Sequence, residues 1–149
     1  RALNIAPGFW LGHCVQAVVH LSEQRPDEGI ARLRHAVSRV DGNSRPVALL
    51  AICLARLGHA AEARNILAEL QALATTRYVP PSSLAAIFAA LGEASAALDA
   101  LDRAWLSRDT RLTFLKDDPR LTVLRRQPRF VALLRRLDLD RFGPGLAPL

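Results

Sequence analysis

Aromatic residues are scarce in this chain of 149 residues, at 5% of the total, and β-branched residues are few. No alternating apolar run is bounded by Asn-Gly or Asp-Gly turns, so a sheet is not expected. Cysteine occurs twice, as Cys14 and Cys53, too sparsely for a disulfide framework. Both read as buried or groove-facing thiols of a reducing cytoplasm. The stretch from Ala2 to Ser22 lacks Lys, Arg, Asp and Glu altogether, which is the length of a membrane span. It contains Asn4, Pro7, Gly8, His13, Gln16 and His20, poor residues for a bilayer core, so neither a membrane helix nor a signal peptide is expected. Nucleophile elbows and phosphate-cradling glycine loops are also missing, which argues against an enzyme.

What remains is rich in Ala and Leu, and that composition favours helix. The residues recur on one interval. Gly29, Ala63 and Ala97 are spaced by 34 residues, as are Ala17, Ala51 and Ala85. Leu33, Leu67 and Leu101 keep the same period, and so do Ala36, Leu70 and Ala104. A further column runs Gln24, Gly58, Gly92. Small residues in two columns let helix backbones approach, and a Leu fills the layer between units. Gly58 and Gly92 suit the left-handed backbone that ends a helix. Glu62 and Glu93 fall near helix starts, where the dipole favours negative charge. The spacing predicts helices over Phe9–Glu23, Asp27–Val40, Arg45–Leu57, Ala60–Ala74, Pro81–Leu91 and Ala94–Ser107.

A 34-residue period with small residues at these places resembles the tetratricopeptide repeat family. His20, Leu54 and Phe88 stand in that family's Tyr column. The resemblance implies an all-α, helical-hairpin solenoid with C-terminal capping helices. One domain is expected over residues 1–142, with repeats at 9–41, 45–75 and 79–108, a cap at 109–138 and a loose tail at 143–149. Residues 1–7 fit the tail of an earlier repeat, and Arg1 stands where a native chain would have Met, so a longer parent is expected. Such an end would expose an apolar face that a capping repeat normally covers.

The C-terminal part has its own signals. Asp118-Pro119 and Gln127-Pro128 each punctuate the chain before a short helical stretch. Phe130, Leu133, Leu134 and Leu137 then fall on one helical face that would cover the last repeat. Tyr78-Val79-Pro80-Pro81, Phe114-Leu115-Lys116, Asp118-Pro119-Arg120 and Pro128-Arg129-Phe130 are together similar to the C-terminal ends of repeat arrays in bacterial signalling proteins. That likeness implies a cytoplasmic regulatory parent, with an effector domain upstream.

Chemistry-bearing residues are few. His13, Cys14 and His20 have no second ligand pair at metal spacing, so no metal or other cofactor is expected. Asp99 with Asp102 reads as solvated charge, and Asp118 as a turn or cap residue. Residues Arg103 to Arg141 hold eleven basic and five acidic residues, and that segment accounts for the whole net charge of +6. Arg120, Arg125, Arg126, Arg129, Arg135 and Arg136 form the candidate basic patch. Without interleaved aromatics or a recognition helix, it points to an acidic protein more than to nucleic acid.

In the family the first helix of each unit lines a concave groove. The family positions map to Leu11, Cys14, Val18 and Leu21, then to Arg45, Ala48, Ile52, Ala55 and Arg56, then to Val79, Ser82, Ala86 and Ala89. An apolar lining with two guanidinium groups suits a protein or peptide segment bearing an acidic residue, supplied by another chain or by another domain of the parent. Self-association is the alternative from a different class, and contact through the basic cap is a third.

Overall fold

The computed structural model describes residues 24–38 and 43–138. Every regular element among them is helical: α1 (Pro26–Ser38), α2 (Ser44–Arg56), α3 (Ala60–Leu73), α4 (Pro81–Ala90), α5 (Ala94–Leu106), the 3-10 helices η1 (Thr110–Asp117) and η2 (Pro119–Leu124), and α6 (Pro128–Arg136). The all-α, helical-hairpin class expected from the sequence holds. The ends of α2 to α5 fall within one residue of the expected ones. The expected helix Phe9–Glu23 and the terminal segments 1–7 and 143–149 lie outside the described residues.

The chain forms two compact units that divide between Val79 and Pro80. In the first, α2 and α3 pair as a hairpin and α1 packs against α2. In the second, α4 and α5 pair, η2 packs against α4, and α6 packs against α5.

The 34-residue columns explain this pairing. Gly29, Ala63 and Ala97 are all buried, and so are Leu33, Leu67 and Leu101. Ala36, Leu70 and Ala104 form a third buried column, and Ala51 and Ala85 are fully enclosed. An alanine with no exposed surface marks a place where backbones approach too closely for a larger side chain. The turn column is equally regular. Gln24, Gly58 and Gly92 all adopt left-handed backbone, with φ of 60°, 89° and 79°.

At Gly58 the amide donates to the Ala55 carbonyl and the next amide, of His59, donates to Leu54. Gly92 and Glu93 repeat the pattern on Ala89 and Phe88. These crossed bonds satisfy carbonyls that the helix end would otherwise leave unpaired. The same motif closes α5, where Arg108 and Asp109 donate to Trp105 and Ala104.

Candidate protein-interaction site

Helix α2 begins at Asn43, whose side-chain oxygen accepts the Arg45 amide at 3.0 Å. Its family-derived positions recur every three or four residues and therefore share one face. Burial divides them. Arg45 and Arg56 are exposed and Ala55 is half-buried, whereas Ala48 and Ile52 are each 2% exposed. Within the first unit the accessible part of this face is therefore cationic, and its apolar part is covered. Val79 is buried as well. In the second unit Ser82, Ala86 and Ala89 are all buried on α4. Leu11, Cys14, Val18 and Leu21, with His13 and His20, fall outside the described residues. Cys53 is a buried thiol within α2.

An ion pair on the first unit lies away from these positions. Arg34 of α1 donates to the Glu62 carboxylate in the first turn of α3. It links the second helices of successive repeats across an exposed surface, where such a pair contributes at most ~1 kcal/mol.

The arginines of the expected basic patch take several positions. Arg120 is half-buried against Asp118, with its Nη2 2.6 Å from Oδ2 and its Nε 2.9 Å from Oδ1. Arg129 donates to Asp99 at 2.8 Å and to Asp102 at 2.6 Å, which ties α6 to α5. The two aspartates expected as solvated charges thus share one exposed arginine. Arg136 lies over the Trp105 ring, 4.7 Å from its centroid, a cation–π geometry. Arg125, Arg126 and Arg135 are exposed.

Asp118 is the cap residue expected before Pro119. Its carboxylate accepts the Arg120 amide at 3.0 Å and starts η2. Burial pushes the Asp118 carboxyl up. The Arg120 side chain and amide, together with the charge of Arg111, more than offset that, so it ionises below the usual carboxylate range.

Asp109 was not singled out by the sequence, yet it joins three elements. Its amide completes the end of α5 on the Ala104 carbonyl. Its Oδ1 accepts the Arg111 amide at 3.0 Å and starts η1. Its Oδ2 accepts the Ser82 amide at 2.9 Å, inside the first turn of α4. Pro80, at the N-cap of α4, has no side-chain acceptor to offer, so Asp109, 27 positions after Ser82, supplies one.

A local signal exists for its capping of η1. Asp109-Thr-Arg-Leu-Thr-Phe-Leu115 and Asp118-Pro-Arg-Leu-Thr-Val-Leu124 repeat at nine residues, and Gln127-Pro-Arg-Phe-Val-Ala-Leu133 follows at the same interval. The fourth place of each (Leu112, Leu121, Phe130) and the seventh (Leu115, Leu124, Leu133) are buried. The first place caps a helix in both aspartate copies.

A tetratricopeptide repeat family model matches residues 20–79. No curated protein and no solved structure matches the chain. The matched segment holds the hairpin α2–α3 and the helix α1 packed on it. Repeats of this family generally mediate protein–protein interaction. Among the described residues, no helix is long and apolar enough to cross a membrane.

Proposed function

We propose that this chain is a non-catalytic protein-interaction scaffold, forming the C-terminal part of a larger cytoplasmic regulatory protein of bacteria. Its partner is a protein or peptide segment with an acidic residue, bound on the first-helix face of the repeats. The observation that carries this reading is the family match over α1–α3, coincident with exposed Arg45 and Arg56 on one face of α2. Guanidinium groups on a rigid helix are suited to a carboxylate, because their fork is preorganised.

The test is capture of partners from a nuclease-treated bacterial lysate by the full chain and by an Arg45→Glu/Arg56→Glu variant. Both positions are exposed, and circular dichroism and melting of the two proteins check that the variant is folded. A protein captured by the first and lost from the second supports the reading. Equal capture overturns the assignment to α2, and capture of the chain alone indicates self-association. Ile52→Glu is a poorer probe, since a charge at a site 2% exposed acts on folding first.

A further inference from the structure

The end of α5, the start of η1 and the end of α6 line an open hollow of about 660 Å³ within the second unit. Its apolar wall is Trp105, Leu106, Leu112 and Leu137, and Arg108 also lines it. Leu106 is 79% exposed, an uncommon state for a leucine at the rim of a cavity. Arg108 holds the left-handed position that closes α5, with φ of 55°. Gly58 and Gly92 hold the corresponding positions after α2 and α4, where the backbone is easily adopted. Arg108 is exposed and, like Gln24 and Asp138, takes this backbone without being glycine, and no ion pair holds its guanidinium among the described residues.

The charges facing this cavity are unequal. Asp109 also lines it, but the carboxylate is buried and its two oxygens are occupied by the Ser82 and Arg111 amides. Arg136 lies over the Trp105 ring and so places a second cation next to one residue of the apolar wall. An apolar hollow lined by one guanidinium group, with a second beside it, is complementary to an apolar side chain flanked by carboxylates.

We propose that this cavity is a second docking site, which takes an acidic peptide segment through one large apolar side chain. Arg108 pairs with a carboxylate of that segment, and Leu106 covers the inserted side chain. The site is independent of the α2 face, so the two assignments fail separately.

The test is fluorescence polarisation of a labelled peptide with Leu and Phe four residues apart among glutamates, titrated with the full chain. The control peptide carries Gln in place of each Glu. The glutamate peptide should bind, and the control should bind about ten-fold more weakly or worse. Arg108→Gly should weaken binding by about ten-fold while leaving the melting temperature equal or higher, because glycine adopts this backbone more easily. Leu106→Glu should abolish binding, whereas Arg45→Glu/Arg56→Glu should leave it unchanged. Equal binding of the two peptides, or full binding by Arg108→Gly, would overturn the proposal. So would a dimer in sedimentation velocity that Leu106→Glu dissolves while no peptide binds, since the occupant is then a second copy.

Discussion

The hairpin α2–α3 and the segment from Asp109 to Arg136 bury leucines equally well but hold them by different means. In the hairpin, alanines with no exposed surface, Ala51 and Ala63, let two α-helices approach, and Gly58 turns the chain between them. In the later segment the backbone itself tightens. Leucines three residues apart, Leu112 with Leu115 and Leu121 with Leu124, lie on the same side of a 3-10 helix, where side chains three apart nearly eclipse. Runs of 3-10 helix as long as η1, with 8 residues, are uncommon, and each here is started by an aspartate that accepts a backbone amide. One region is thus specified by side-chain size, the other by carboxylate acceptors. The difference predicts opposite sensitivities.

The largest effect is expected at Asp109. Replacing it with Ala strips an acceptor from the Ser82 amide in α4 and from the Arg111 amide in η1. Each cap lost costs about 0.5–2 kcal/mol, so the variant should be less stable by ~2–3 kcal/mol in urea denaturation. Asp109→Asn keeps one acceptor oxygen and should recover part of the loss. A change below ~0.5 kcal/mol for Asp109→Ala would mean that the later segment is held by its leucines alone.

The hairpin should respond to volume. Ala63 has no exposed surface, and Ala63→Leu should destabilise by ~1–3 kcal/mol through overpacking, while Ala61→Leu on the exposed side of the same helix should be close to neutral. Thermal melting of the pair is the measurement. Equal melting would remove the small-residue column as the cause of close helix approach.

How much of this could be read from the residues depends on the range of each interaction. The 34-residue columns were legible because a packed layer must repeat its sizes, and the left-handed turns at Gly58 and Gly92 followed from glycine itself. Pro119 and Pro128 marked η2 and α6 because proline fits the first turn of a helix. The bond from Ser82 to Asp109 spans 27 residues and leaves no local pattern. The nine-residue rhythm around it is visible in the sequence, but only beneath the stronger period of the repeats. Family positions gave the face of α2 without its burial, so Ile52 and Arg45 looked equivalent although one is enclosed and the other exposed.

Asp118 gives the later segment a pH dependence. Its folded carboxyl ionises below the usual range, so the stabilisation is fully present above about pH 4 and is lost as pH falls toward the lower folded value. Asp118→Asn retains a capping oxygen and loses the carboxylate charge that faces Arg120, and should cost ~1–2 kcal/mol at neutral pH. In denaturant titrations the gap between the two proteins should be constant from pH 7 to 5 and should narrow below about pH 4. A gap that does not narrow at all below about pH 4 would assign the effect to packing.

The smallest effects should have opposite signs at two positions with the same backbone. At Gly58, with φ of 89°, a Cβ would meet no neighbouring atom within 4 Å, so Gly58→Ala is costly only through its left-handed backbone. That penalty is about 1 kcal/mol. Arg108 already bears such a strain at φ of 55°, so Arg108→Gly should relieve it and stabilise the chain by up to ~1 kcal/mol, set against the greater freedom glycine gives the unfolded state. Differential scanning calorimetry of the two variants beside the parent resolves the signs. If Arg108→Gly is instead destabilising, the guanidinium contributes to the fold, and its exposed position beside the cavity no longer argues for a ligand.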